Sequence, residues 1–172
     1  MSNPLLNDWS TPFGLPPFDK ISDQDFAPAV DAALDEARAN IAAITANDAA
    51  PSFENTIAAL ELADQRLNAV LGAFYSLAGA DSNPDREALM REFAPKLSGY
   101  GSEISSNEAL FARIDALWNE REALGLTDEQ ERVLMLTHRG FVRSGALLKG
   151  AEAERLKEIK SRLSVLGTEF TQ

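Results

Sequence analysis

The sequence predicts an all-α fold, a bundle of about six helices preceded by an extended, proline-rich N-terminal segment. Three observations carry this. Apolar residues recur at steps of three and four over most of the chain. Helix-start pairs stand ahead of such runs, as at Ser105 with Glu108 and Thr127 with Gln130. No segment reads as a strand, and no internal period of 20 to 50 residues suggests a solenoid.

The elements follow in order. Residues 1–22 hold Pro4, Pro12, Pro16, Pro17 and Gly14 among Trp9, Phe13, Leu15, Phe18 and Ile21. That mixture excludes a helix yet is too apolar for disorder, so the segment should lie extended across the bundle. Ser22 or Asp23 then caps a helix with Pro28 in its first turn and Phe26, Val30, Leu34, Ala37, Ile41 and Ile44 as its buried stripe. A second helix should run from Ser52 to about Ala80, with Ile57, Leu60, Leu67, Val70, Leu71 and Phe74 inward and Glu54 favouring its N-terminal dipole. A loop ending at Pro84 leads to a third helix bearing Leu89, Phe93 and Leu97, where Gly99 and Gly101 allow a kink near Tyr100. The Ser105–Glu108 pair opens a fourth, with Leu110, Phe111, Ile114, Leu117 and Trp118, which stops at Gly125. The Thr127–Gln130 pair opens a fifth, carrying Val133, Leu134, Leu136 and Phe141 and fading at Gly145. From Ala151, Leu156, Ile159, Leu163, Leu166 and Phe170 line one face of a sixth helix that reaches Thr171-Gln172 with no stop signal, which predicts a piece of a longer polypeptide.

At 172 residues the chain can bury roughly 70% of its unfolded surface without disulfides or structural metal. Asp and Glu total 27 against 16 Lys and Arg, a net charge of −11, which disfavours nucleic acid and anionic membrane surfaces as partners. The N-terminus has no secretory pattern, no apolar run approaches the roughly 18 residues that span a bilayer, and the absence of cysteine fits a reducing compartment. A cytoplasmic location is expected.

Candidate chemistry is sparse. His138 is the sole histidine and has no acidic or histidine partner at helical spacing, so it reads as an ordinary surface or partly buried residue. Asp81, Asn83, Asp85 and Glu92 match positions 1, 3, 5 and 12 of a calcium loop, but Arg86 occupies the position that needs glycine, so Asp85 reads as a helix first-turn residue. Gly99-Tyr100-Gly101 lacks the third glycine and preceding strand of a phosphate cradle. Acidic neighbours such as Asp23 with Asp25 and Asp35 with Glu36 are expected to be solvated and ionised. No catalytic, cofactor-binding or metal-binding residue is assigned to the chain.

Five stretches, in order along the chain, carry a resemblance: Asn3-Pro4-Leu5-Leu6; Phe13-Gly14-Leu15-Pro16-Pro17-Phe18-Asp19-Lys20-Ile21; Asp25-Phe26-Ala27-Pro28-Ala29; Phe53-Glu54-Asn55-Thr56; and Leu166-Gly167-Thr168-Glu169-Phe170. Together they resemble the N-terminal part of the thimet oligopeptidase family of zinc metallopeptidases, nearest to its bacterial peptidyl-dipeptidases. The resemblance implies a longer enzyme in which residues 1–22 pack as an extended segment on a helical N-terminal domain, residues 23–172, while a missing domain of the same chain carries a His-Glu-x-x-His zinc helix. The helical domain would form one wall of a channel admitting short peptides, with dipeptides released from their C-termini. Zinc would belong to the parent enzyme, and this segment would be inactive alone. The rival reading is a freestanding helical interaction module that binds an amphipathic partner helix.

Overall fold

The computed structural model describes residues 3–171, with residues 157, 161, 164, 165 and 167–171 described by backbone alone. The Phe170 position of the last stripe therefore lies outside the described side chains. The chain is all-α, with no strand among the described residues. It divides between Ile104 and Ser105 into two compact units.

The first unit begins with two short 3₁₀ turns, Pro4–Leu6 and Pro12–Gly14, where a wholly non-helical segment was expected. Proline at the first position of each explains the difference, because its fixed φ suits a turn whose first N–H would have no partner. Helix α1, Asp23–Thr45, starts where Ser22 donates its backbone N–H and its hydroxyl to Asp25 Oδ2, both at 2.7 Å. Pro28 lies beyond the first turn rather than in it, inside the helix. All six residues of the expected stripe are buried, and Ala29 and Ala33 join them.

The expected second helix is not one straight rod. It opens as a π-turn, Phe53–Ala58, continues as α2, Ala59–Ala63, breaks at Asp64 and resumes as α3, Gln65–Ala80. Helix α4, Pro84–Ser105, runs unbroken through Pro95, Gly99 and Gly101. A phenylalanine chain joins α1, α3 and α4: Phe26 meets Phe74 edge-on at 5.1 Å, and Phe74 meets Phe93 at 4.9 Å. Ala29, Ala33 and Ala73 keep the neighbouring positions small and buried. Leu5 is buried in the same core, with Leu6, Trp9 and Ile21 packed against it, so both ends of the N-terminal segment are anchored. Ion pairs fix direction. Asp23–Arg86, Asp31–Lys96 and Arg38–Glu103, at 2.6 to 2.8 Å, pair ascending residues of α1 with ascending residues of α4 and make the two parallel. Glu36–Arg66 and Phe26–Phe74 run in opposite senses and make α1 and α3 antiparallel.

The second unit contains α5, Glu108–Glu120; α6, Asp128–Ser144; and α7, Ala151–Thr171. Asn107 caps α5, its Oδ1 accepting from Leu110 N at 2.9 Å; Ser105, expected in that role, is instead the last residue of α4. A 3₁₀ turn, Arg121–Ala123, separates α5 from Gly125, whose φ of 63° supplies the expected stop one turn late. The Thr127–Gln130 box forms as expected, and α6 ends on Gly145 at φ 100°. Leu134 and Phe141 are buried, but Leu136 is exposed. On α7 the stripe is open: Ile159, Leu163 and Leu166 are 42%, 62% and 41% exposed.

Candidate functional site

The Phe53-Glu54-Asn55-Thr56 stretch builds a compact polar network in the first unit. Ser52 and Asn55 cap each other: Asn55 N donates to Ser52 Oγ at 3.1 Å and Ser52 N to Asn55 Oδ1 at 2.8 Å. Asn55 Nδ2 reaches back to the Ala50 carbonyl at 2.9 Å, and the buried Thr56 hydroxyl donates to Asn55 Oδ1 at 2.9 Å. One asparagine thus ties the loop after α1 to the π-turn. Such one-turn π segments widen a helix locally. Here the widened turn lies over the C-terminal half of α1 and leaves an open cleft of about 450 Å³ lined by Asn40, Ile44, Asn47, Asn55 and Leu62. Asn40 donates across the junction to the Ala63 carbonyl at 3.0 Å. The lining offers amides and apolar carbons but no acid, base or nucleophile.

At the helix break, Tyr100 of α4 donates its hydroxyl to Asp64. Burial, and then the bond to the Asp64 carboxylate, push the Tyr100 phenol well above its ordinary range, so it stays neutral and acts as a structural donor. Tyr100 therefore anchors a kinked junction, and its flanking glycines are ordinary helical residues of α4.

The calcium-loop residues are dispersed. Asn83 Oδ1 accepts from Arg86 N at 2.8 Å, Asp81 pairs with Arg86, Asp85 lies in the first turn of α4, and Glu92 pairs with Lys96 at 2.9 Å. Arg86, the residue that breaks the motif, also binds Asp23 at 2.8 Å. Hydrogen bonds from Asn83 and then Arg86 hold the Asp23 carboxyl below its ordinary range. Asp25 receives the Ser22 bonds, and Asp35 and Glu36 pair with Arg38 and Arg66. Among the described residues no group of three His, Cys, Asp or Glu side chains could hold a metal ion.

His138 has the acidic partner that local spacing could not reveal. Its Nε2 lies 2.9 Å from Asp115 Oδ1, across from α6 to α5. The ring is stacked between Trp118, at 5.0 Å and 14°, and Phe111, at 5.7 Å and 28°. Phe111, Asp115 and Trp118 share a face of α5 at helical spacing, so one histidine from α6 fits between two aromatic rings and onto a carboxylate. Arg121 covers the outer face of Trp118 at 4.3 Å. A histidine enclosed this way is a packing residue of the α5–α6 pair.

No protein-family model matches the chain. It is 37% identical over 171 residues to the dipeptidyl carboxypeptidase of Salmonella typhimurium strain LT2, and 36% identical over 170 residues to that of Escherichia coli K12. It is 30% identical over 171 residues to oligopeptidase A of Escherichia coli K12. Each match covers 99% of this chain and 25% of the relative. The chain thus spans about a quarter of the length of the curated relatives it matches.

Proposed function

Since the chain belongs to the thimet oligopeptidase family, we propose that it is the N-terminal helical segment of a cytoplasmic zinc peptidyl-dipeptidase that removes dipeptides from the C-termini of short peptides. The observation that carries the branch is the identity of 36–37% to two dipeptidyl carboxypeptidases, against 30% to oligopeptidase A. In this reading the segment shapes one wall of the peptide channel. The amide-rich, non-titrating cleft at Asn40, Asn55 and Leu62 supports a binding rather than a catalytic role. In this reading the metal and the hydrolytic step belong to the rest of the parent polypeptide. The exposed stripe of α7 packs on that remainder.

The test expresses the parent polypeptide beside residues 1–172. The parent should release C-terminal dipeptides from an unstructured peptide, lose activity to a chelator and regain it with zinc, while residues 1–172 show background hydrolysis. Chelator-sensitive hydrolysis by residues 1–172 after repurification would overturn the assignment. The open stripe of α7 also fits a freestanding module that binds an amphipathic helix. The mass of the native polypeptide in cell extract separates the two: several times that of this chain for the peptidase, equal to it for the module.

A further inference from the structure

The loop from Pro12 to Phe18 turns its apolar side chains away from the core that anchors both its ends. Phe13 is 98% exposed, Leu15 56% and Phe18 43%, whereas Leu5 before the loop is buried and Trp9 and Ile21 on either side pack on the core. The exposure is built into the backbone. Phe13 takes a left-handed φ of 61°, followed by Gly14 at 66°. A non-glycine residue, above all an aromatic one, adopts that conformation only when its surroundings impose it. Here the Thr11 hydroxyl donates to the Leu15 carbonyl, Gly14 N donates to Thr11 O at 3.0 Å, and Phe18 N and Lys20 N donate to Pro16 O and Pro17 O at 2.8 Å. With Pro16 and Pro17 these bonds hold the three apolar side chains out as a knob. A disordered apolar loop would need no such strain.

Resting on the parent-peptidase reading above, we propose that this knob seats in a concave apolar site on the part of the parent polypeptide outside residues 1–172. Size argues for that occupant. The exposed surface of Phe13, Leu15 and Phe18 is on the order of 400 Å², about half of the roughly 800 Å² that each partner contributes to a stable association of separate proteins. A contact that small persists when both halves belong to one chain, because the effective concentration is high and the knob is preorganised. The relatives supply the missing surface, since three quarters of their length lies outside the matched region. The Phe13-Gly14-Leu15-Pro16-Pro17-Phe18 stretch, one of the five that carry the resemblance, then has a task that its absence from the core leaves open.

The experiment places a photoreactive p-benzoylphenylalanine at position 13 of the full parent polypeptide, irradiates it at submicromolar concentration and maps adducts by mass spectrometry. Intramolecular adducts to peptides outside residues 1–172 are expected. A Phe13→Asp parent should exchange amide hydrogens faster over residues 10–20 than the unaltered parent. Adducts confined to residues 1–172, adducts joining two copies, or no adduct would each overturn the proposal. Hydrolysis is assayed separately on the unaltered parent: a working dipeptidase without these adducts sinks the knob alone, and adducts in a parent that hydrolyses nothing sink the peptidase assignment alone.

Discussion

Phe74 touches Phe26 of α1 and Phe93 of α4 at ring separations of 5.1 and 4.9 Å, and all three are fully buried. Phe74→Ala removes the middle of the chain and leaves a cavity that the surrounding alanines of α1 and α3 cannot fill. It should cost about 3–5 kcal/mol, read as a lower urea midpoint; a change under about 1 kcal/mol would mean that the three helices do not depend on this contact. Asp23 acts at the surface of the same unit. Its carboxyl is held low by Asn83 and Arg86, so it stabilises the fold above about pH 4, and that contribution is lost as pH falls through the depressed native value. Asp23→Asn should therefore narrow the difference in unfolding free energy between pH 7 and pH 3, measured by urea titration at both. An unchanged difference would exclude Asp23 as a source of acid sensitivity. His138 shows why residue-level reading stops short. The sequence shows no partner at helical spacing, and Asp115 stands 23 positions away on another helix.

Two glycines of the second unit separate local rules from packing. Gly145 ends α6 at φ 100°, and a Cβ there would run into the Leu156 side chain of α7. Gly145→Ala should lower stability by more than about 1 kcal/mol. Gly140 lies within α6 with open space around it, and Gly140→Ala should raise stability by roughly 0.5–1 kcal/mol. Thermal unfolding of both variants checks the pair; the same sign for both would show that the end of α6 is not set by its left-handed cap. Helix ends of this kind were legible because glycine stops and serine or threonine boxes act over three or four residues, as at Thr127 and Gly145. The break at Asp64 was not. The periodicity of Ile57, Leu60 and Leu67 continues through it, and its geometry depends on Asn55 holding a π-turn and on Tyr100 arriving from α4.

For the whole molecule, the open face of α7 has a consequence in solution. Ile159, Leu163 and Leu166 leave an apolar stripe uncovered on a helix of 21 residues. Residues 1–172 in isolation should self-associate as concentration rises, and Leu163→Glu should restore the monomer, as read by sedimentation velocity. A monomer at all concentrations would mean that the stripe is too weak to join copies of this chain. The all-α class, the helix stripes and the family resemblance were determined by the sequence alone, because period, capping and ordered motifs are local properties of the residues. Tertiary structure decided which apolar residues the core takes in. It accepted Leu5 and Phe93 and left Phe13, Leu136 and Leu163 outside. It also decided that Arg86 serves Asp23 rather than a cation loop and that His138 lies between Trp118 and Phe111. The physical reason is common to these cases: burial and partner choice are set by residues far apart in the chain, whose approach depends on how the helices pack and not on any spacing along one of them.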